Sequence, residues 1–245
     1  MRPWPRSAGR PWVYGHRGVR RVVPENTLLA FEQSMKLGAD GVELDVQIGA
    51  AGTPVVFHDE TLERMTAGVD CRRISDVPVD ELCSIPLQQG AAIPRLRDVL
   101  CWANHNSLYL NIELKSDRHN AEEMLAAVNG AVSEYANDLL KPRLLFSSFS
   151  TQIIQRAKRR YWPWPLAQLL NATDDCQAQS EAFKDVGIHA HYALLDEERL
   201  VQWLPTRTFL NTWTVNSPDE ARRLAYAGVD GIISDEPGLI RDAIE

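Results

Sequence analysis

Short apolar runs alternate with segments of helical periodicity along most of this chain, and this alternation limits the possible folds more than any other feature. A strand, a helix and a second strand in succession form a βαβ unit, whose strands lie parallel in one sheet. Eight strands, each followed by a helix, fit into 245 residues, and a closed barrel of this kind has about 250 residues. We therefore predict an α/β fold, the (β/α)8 or TIM barrel, rather than an open doubly wound sheet.

The predicted elements cover the chain from end to end. The strands are residues 12–16, the segment with Glu43 and Asp45, 108–115, 143–148, 165–170, 187–192, 207–215 and 230–234. The helices run from Asn26 or Thr27 to Gly38, over 96–104, 120–136, 150–160, 174–184, 196–203 and 218–227, and onward from Pro237. The alternation stops from about 60 to 95, so we predict a small insertion after the second strand, within a single domain at 1–245.

Charge and cysteine content exclude several classes of protein. The formal net charge is −7, which argues against nucleic acid or an anionic membrane surface as a partner. The four cysteines form no CxxC pair, and reduced thiols in a cytoplasmic protein are the simpler interpretation. No segment has the pattern of a secretion signal or a membrane span, so we expect a cytoplasmic location without stable membrane insertion. The sequence carries no signal for oligomeric state.

The second predicted strand carries two acids on one face. Side chains alternate between the faces of a strand, so Glu43 and Asp45 point one way and their apolar neighbours point the other. Their side chains emerge within about 7 Å of each other. Two such carboxylates repel unless a cation lies between them. This strand therefore predicts a cation site, although a solvated polar face of a sheet would also carry acids.

A second strand, 108–115, repeats the pattern. Glu113 and Lys115 lie on its polar face and four aliphatic residues lie on the other. Three carboxylates without clustered cysteine or histidine form a ligand set of oxygen atoms only, which suits Mg²⁺ or Ca²⁺ better than zinc or copper. We predict Glu43, Asp45 and Glu113 as ligands of a divalent cation, Mg²⁺ or alternatively Ca²⁺.

Further polar and aromatic residues stand at the ends of predicted strands, where the active sites of closed barrels lie. His58 follows a short extended piece after the second strand. The other residues at or just beyond strand ends are His16, Glu43, Asp45, Glu113, Lys115, Trp213 and Asp235. We expect these side chains to meet at one rim of the barrel.

At these positions the chain resembles the glycerophosphodiester phosphodiesterase family, in its bacterial cytoplasmic type. The matching pieces, in order, are GHRG (15–18), PENTLLAF (24–31), GADGVELDVQ (38–47), VVFHDETLERMTAG (55–68), NIELK (111–115), SSF (147–149), WTVN (213–216) and GVDGIISDEP (228–237). The resemblance implies a barrel with an insertion after its second strand. It also implies metal-dependent hydrolysis of deacylated phospholipids, such as glycerophosphocholine or glycerophosphoethanolamine, to sn-glycerol 3-phosphate and an alcohol.

The resemblance also implies roles for individual residues. The catalytic histidines are His16 and His58, and the phosphate-contacting cations are Arg17 and Lys115. The metal carboxylates are Glu43, Asp45 and Glu113. The loop QIGAAGTP at 47–54 replaces the usual Thr-x-Asp-Gly turn, and Met65 stands where threonine is common. These departures leave the shape of the loop undecided by the sequence, whereas every catalytic position of the family pattern is present.

The two-histidine chemistry assigns one proton transfer to each imidazole. We interpret His16 as the general base, acting on water or on the glycerol hydroxyl of the substrate, and His58 as the general acid, although the sequence does not order them. Trp213 either packs on the glycerol carbons or belongs to the barrel core. Asp235 either orients a cation or closes the last loop, and Asn26 either caps a helix or contacts substrate.

Two rival functions remain open on the sequence. The first is a phosphodiesterase of lysophospholipids, similar to the sphingomyelinase D branch, which shares the histidines and the acids. The second is a catalytically silent barrel that binds phosphate metabolites. A silent barrel would have lost at least one of the two histidines or three acids, and all five are present.

Overall fold

A computed structural model of the protein describes residues 9–115, 121–173, 185–205 and 207–245. Within these ranges nine strands form one sheet. The strands are β1 (Trp12–Gly15), β2 (Gly41–Ile48), β3 (Pro54–Val56), β4 (Tyr109–Leu114), β5 (Leu144–Ser148), β6 (Leu166–Leu170), β7 (Gly187–His191), β8 (Leu210–Trp213) and β9 (Gly231–Ser234). The predicted strand at 207–215 is thus shorter, although the Val215 backbone N–H still donates to the Ile233 carbonyl.

Eight of these strands close into a barrel. Their order is β1-β9-β8-β7-β6-β5-β4-β2, and β1 also pairs with β2, so every one of the eight has two neighbours. All of these pairings are parallel. The predicted (β/α)8 barrel is therefore confirmed. The ninth strand, β3, folds back antiparallel on the end of β2, with Val56 opposite Val46.

Helices cover the outside of the barrel. They are α1 (Leu28–Lys36), α2 (Val79–Leu82), α3 (Leu96–Ala103), α4 (Ala121–Tyr135), α5 (Thr151–Arg159), α6 (Glu197–Trp203), α7 (Pro218–Ala227) and α8 (Pro237–Ile244). The predicted helix at 174–184 lies outside the described residues. Side-chain oxygens fix several N-termini: Thr27 accepts from the Ala30 backbone N–H in α1, and Ser150 accepts from that of Ile153 in α5. No helix within the described ranges is both long and apolar enough to span a membrane.

Two faces of the same strands build the core. Val42 and Leu44 of β2 point outward and are fully buried in the main apolar cluster between sheet and helices. Inside the barrel, Tyr14 and Phe209 belong to a separate cluster. Gly187 gives the Phe209 ring its space, because a Cβ atom there would clash with the ring. Apolar side chains thus fill part of the barrel interior, and polar groups occupy its other end.

The segment between β2 and α3 includes residues 60–95, the predicted insertion after the second strand. It contains β3, α2 and three short 3-10 turns. Its apolar side chains form a cluster distinct from the barrel core: Val55, Phe57, Leu62, Ile74, Val77, Leu82, Leu87, Ala91 and Ile93. Because β3 pairs with the end of β2, the segment stands directly beside the carboxyl ends of the barrel strands. Its boundaries as a unit within one domain stay a prediction.

Candidate active site

Three carboxylates meet where β2 and β4 lie side by side. Asp45 is the register partner of Glu113, and Glu43 lies two residues before Asp45 on the same face of β2. One oxygen from each of Glu43, Asp45 and Glu113 falls within 4.8 Å of the other two. All three residues are buried. The three predicted metal ligands therefore lie close together, as the alternation of side chains along β2 and β4 predicted.

The three acids do not share one electrostatic state. Burial and repulsion from Asp45 raise the pKa of Glu43 well above its usual value. The same two causes raise the pKa of Glu113 to about 7. Burial also opposes ionisation of Asp45, but the charges of Lys115 and Arg17 outweigh it and lower its pKa to about 2. Full ionisation of the cluster thus requires additional positive charge, which a divalent cation held by these oxygens would supply.

Two cations touch the acids. Lys115 Nζ lies 2.9 Å from Glu113 Oε1 and 3.3 Å from Asp45 Oδ1. Arg17 Nε lies 3.2 Å from Asp45 Oδ2, and the Arg17 backbone N–H donates to Glu43 over 2.9 Å. The turn after β1 places Arg17 at a φ of 52°, the left-handed region. Both predicted phosphate-contacting cations therefore stand at the acid cluster.

Asn26 is a structural partner of this cluster. Its side-chain Nδ2 donates to Asp45 Oδ2 over 2.8 Å, and its Oδ1 accepts the Asp45 backbone N–H over 3.1 Å. The residue is buried and has a φ of 57°. Thr27, not Asn26, caps α1. Asn26 therefore orients the Asp45 carboxylate rather than the helix.

His16 is held by the last strand of the barrel. Its Nδ1 lies 2.7 Å from Asp235 Oδ1, and the other oxygen of Asp235 accepts from Asn216 Nδ2 over 2.8 Å. The Asn216 Oδ1 in turn accepts the Asp235 backbone N–H. Burial opposes ionisation of Asp235, but its hydrogen bond to His16 and the charge of that ring outweigh burial and lower its pKa to about 2. Asp235 therefore orients a histidine, which neither sequence interpretation described.

His58 also contacts a carboxylate, but this partner lies in the loop after β3 and not at the end of a barrel strand. Its Nδ1 lies 2.6 Å from Asp59 Oδ1, and Asp59 Oδ2 accepts from Arg64 Nε over 2.5 Å. Gln47, the next inward residue of β2 after Asp45, donates from Nε2 to the backbone carbonyls of Phe57 and Asp59. Burial is the largest cause that lowers the pKa of His58, and the Lys115 and Arg17 charges act in the same direction.

One cavity of about 230 Å³ collects these groups. Seven of the eight predicted site residues line it: His16, Arg17, Glu43, His58, Glu113, Lys115 and Trp213. The eighth, Asp45, contacts the two cations that line it. Trp213 and Phe149 form an aromatic wall of the cavity, with ring centroids 5.5 Å apart in an edge contact. The acids and cations named above form its charged wall.

Comparison with known proteins identifies the family. The sequence profile of the glycerophosphoryl diester phosphodiesterase family matches residues 16–239. The chain belongs to this family. A glycerophosphodiester phosphodiesterase of Caldanaerobacter subterraneus is 30% identical over 249 residues, with 92% of this chain and 94% of the relative covered. The resemblance stated from the motifs is confirmed, and family membership makes the chain a phosphoric diester hydrolase.

Solved structures of family members have the same fold. A phosphodiesterase of Oleispira antarctica, solved in complex with the product sn-glycerol-3-phosphate, is 29% identical with a TM-score of 0.86, and 96% of this chain and 97% of that chain are covered. A glycerophosphodiester phosphodiesterase of Thermotoga maritima is 27% identical with a TM-score of 0.76, over 96% and 99% of the two chains. The barrel is therefore the fold of the family.

Several residues that contact the site were missed by the sequence analysis. Gln47 continues the alternation of Glu43 and Asp45, so its spacing could have found it. Arg64 and Asn216 lie in segments that match family motifs, but no local pattern indicates what their side chains contact. His189 is buried inside the barrel, where burial lowers its pKa to about 3, so it is neutral and bonded to neighbouring amides. Cys71, Cys83 and Cys101 are free thiols, and Cys176 lies outside the described residues.

Proposed function

We propose that the protein hydrolyses glycerophosphodiesters to sn-glycerol 3-phosphate and an alcohol, with the help of a divalent cation and two histidines. One observation carries the proposal: His16 and His58, each bonded through Nδ1 to a carboxylate, line the same cavity as the acid cluster. A phosphodiester bound in this cavity therefore meets proton-transfer groups and cationic groups together. The Oleispira antarctica relative was solved in complex with the product sn-glycerol-3-phosphate, the product that we propose for this protein.

The acid cluster fits a divalent cation. Glu43, Asp45 and Glu113 would hold it through carboxylate oxygens, the donors that Mg²⁺ and Ca²⁺ prefer. When bound, the cation neutralises charge on the phosphate oxygens and so stabilises the transition state. Mg²⁺ is the ion we propose, with Ca²⁺ as the alternative. The raised pKa values of both glutamates support a cation site here, because a positive charge relieves the repulsion within the cluster.

Arg17 and Lys115 bring positive charge to the same wall. Both side chains line the cavity, so an anionic phosphate next to the acid cluster lies within reach of a guanidinium and an ammonium group. The Arg17 side chain is held in place by Glu25, which accepts from Nη1 over 2.8 Å. We propose that these two cations orient the nonbridging oxygens of the substrate.

The two imidazoles divide the proton transfers. The carboxylates Asp235 and Asp59 accept Nδ1–H, which leaves each Nε2 for the substrate. His16 takes a proton from the attacking oxygen as its bond to phosphorus forms. Attack by water gives sn-glycerol 3-phosphate directly, whereas attack by the glycerol hydroxyl gives a cyclic phosphodiester, which a water then opens to the same product. His58 gives a proton to the leaving oxygen as the bond from phosphorus to the headgroup alcohol breaks. The low pKa of His58 makes its imidazolium a stronger acid, and the negative charge of the bound substrate favours its protonation.

Trp213 is placed to contact the carbon atoms of the substrate. Its indole ring lies on the aromatic wall, and its Nε1 donates to the His189 carbonyl over 3.0 Å, which fixes the ring. The glycerol moiety has one apolar edge of C–H groups that this wall can cover. We propose that Trp213 and Phe149 hold the glycerol moiety while the charged wall holds the phosphate.

The experiment is a headgroup-matched assay with metal removal. The protein is incubated with glycerophosphocholine, glycerophosphoethanolamine or a lysophospholipid carrying choline, after chelation and after addition of Mg²⁺ or Ca²⁺. We expect release of sn-glycerol 3-phosphate from the first two substrates, loss of turnover on chelation, and recovery with the metal. Turnover of the lysophospholipid alone would establish the rival activity. No hydrolysis in any metal state would establish a silent barrel, and turnover that resists chelation would remove the metal from the proposal.

A further inference from the structure

Arg64 lies in the insertion and touches none of the groups that would contact substrate directly. We propose that Arg64 is a positioning residue that holds His58 in its proton-donating orientation through Asp59 and ties this loop to the Arg17 turn through Glu25. The inference rests on the proposed function, because it assigns Arg64 a share of the acid role of His58. Arg64 thus connects the insertion to the turn after β1 through a carboxylate that contacts His58 and a carboxylate that contacts Arg17.

A continuous series of short contacts supports the bridge. Arg64 Nε donates to Asp59 Oδ2 over 2.5 Å, and the other oxygen of Asp59 lies 2.6 Å from His58 Nδ1. Arg64 Nη2 donates to Glu25 Oε1 over 2.6 Å, and the same oxygen accepts from Arg17 Nη1 over 2.8 Å. One guanidinium thus engages two carboxylates, one belonging to each side of the cavity.

The need for such a bridge follows from where Asp59 lies. Asp59 is the residue next to His58 in a turn, and its side chain is 23% exposed. A carboxylate in this position can rotate toward water, and the imidazole then loses its Nδ1 acceptor. Glu25 is buried, with 7% of its side chain exposed, so it gives Arg64 a fixed anchor. Arg64 thereby links the partly exposed His58–Asp59 pair to a buried carboxylate, Glu25, and so restricts the rotation of Asp59.

The fork of the arginine matters as well as its charge. Nε and Nη2 point to two different carboxylates in one plane, which an ammonium group at the end of a lysine cannot reproduce. The fork also keeps Asp59 ionised, since hydrogen bonds from Arg64 outweigh burial and lower the pKa of Asp59. An ionised acceptor selects the histidine tautomer with Nδ1–H, and this leaves Nε2 facing the cavity.

The insertion offers a matched control. Arg73 forms a salt bridge to Glu60 with a shortest contact of 2.5 Å, and its side chain is 38% exposed against 48% for Arg64. Within the part of the chain that the structure describes, the Arg73 side chain forms no hydrogen bond or salt bridge with Asp59, Asp235 or Glu25. Replacement of Arg73 by glutamine therefore removes the same kind of group from the same segment without touching the bridge.

The test compares two leaving groups. Glycerophosphocholine releases an alkoxide that needs a proton, whereas the 4-nitrophenyl ester of glycerol 3-phosphate releases a phenolate that does not. We expect Arg64→Gln to lower kcat on the choline ester by roughly tenfold to a hundredfold, below the loss of a complete acid. On the nitrophenyl ester we expect a loss of less than about threefold, and KM should change little on either. Arg64→Lys should recover part of the loss, and Arg73→Gln should match the wild type.

His58→Gln, measured in parallel, separates the inference from the function on which it rests. A larger loss on the choline ester than on the nitrophenyl ester, in both His58→Gln and Arg64→Gln, supports the bridge. If His58→Gln shows this difference and Arg64→Gln loses both substrates equally, or neither, the inference is wrong and the acid role of His58 stands. If His58→Gln itself lacks the difference, both are wrong. Thermal melting of each variant shows whether it folds, and the lysine variant supplies the same comparison should the glutamine variant unfold.

Discussion

The two histidines of the cavity are held by carboxylates from different parts of the chain. His16 and Asp235 are 219 residues apart, at the ends of the adjacent strands β1 and β9. His58 and Asp59 are consecutive residues in a loop. The first pair is the more buried, with side-chain exposures of 13% and 11% against 31% and 23%. One pair thus belongs to the barrel and the other to the insertion.

The two histidines that we propose for proton transfer therefore depend on different parts of the fold for their position. Closure of the sheet between β1 and β9 places His16 beside Asp235, and the Asn216 amide fixes the carboxylate without adding charge. The His58 pair depends instead on the contacts of Gln47 and Arg64 for its position. Under the roles proposed above, the more buried pair serves the attacking oxygen and the more exposed pair serves the leaving headgroup.

The largest expected effect is loss of either imidazole. His16→Ala and His58→Ala should each lower kcat on glycerophosphocholine by about 10²–10⁴, the usual contribution of one general acid or base. Steady-state kinetics at saturating metal measures the change in kcat. His105→Ala is the control, because His105 is exposed and does not line the cavity. Near wild-type turnover by either site variant would remove that histidine from the mechanism and break the comparison.

A smaller effect, different for the two pairs, should follow removal of the carboxylates. In Asp235→Asn the new amide oxygen accepts from Asn216, so the amide NH₂ faces His16 Nδ1 and forces a proton onto Nε2. A base in this tautomer cannot accept a proton, and we expect a loss in kcat of roughly 10²-fold or more.

The matching change on the other side is Asp59→Asn. Its amide oxygen accepts from Arg64, which again leaves a proton on Nε2 of His58. An acid retains its donor in this tautomer, so we expect a loss of about tenfold. Comparison of the two kcat values shows which histidine is the general base and which is the general acid. A larger loss in Asp59→Asn than in Asp235→Asn would reverse the base and acid assignments.

The smallest effect concerns stability. The pKa of Asp235 lies at about 2 in the folded protein, below the 3.8 expected for an unperturbed aspartate. Its contribution to the free energy of unfolding, about 2 kcal/mol, is therefore fully present above pH 4 and is lost as the pH falls through 2. Urea unfolding of wild type and Asp235→Asn between pH 2 and pH 6 should show a difference that closes in acid. A difference that is independent of pH would mean that the carboxylate is not stabilised in its ionised form.

Local periodicity explains what was predictable. The alternation of β2 and β4 identified Glu43, Asp45 and Glu113 as one cluster, because strand side chains alternate by a rule that needs no tertiary information. The βαβ order of the elements predicted the barrel, and the barrel fold predicted that polar residues at the strand ends meet at one rim. The strand β3 was seen only as an extended piece, since three residues carry no period and its pairing depends on the turn that returns it to β2.

Side-chain direction in loops explains what was not predictable. Asp235 was assigned to a cation or to loop closure, and its contact with His16 exists only because β1 and β9 are neighbours in the closed sheet. The same holds for Arg64, whose two acceptors come from segments 39 and 5 residues away. The aromatic run YWPW at 161–164 carries no local pattern that fixes its role, and only the fold shows that Trp162 and Trp164 pack on Phe146 in the main core.

The sequence by itself determined the barrel and the acid cluster, because strand periodicity is a property of neighbouring residues, and the resemblance to the family indicated the two histidines. Only the tertiary structure decided which carboxylate serves which histidine and which arginine joins the two sides of the cavity. Those choices depend on distances of a few ångströms between segments that are far apart in the chain. Hydrogen bonds have no strength beyond that range, so their partners are fixed when the sheet closes and not before.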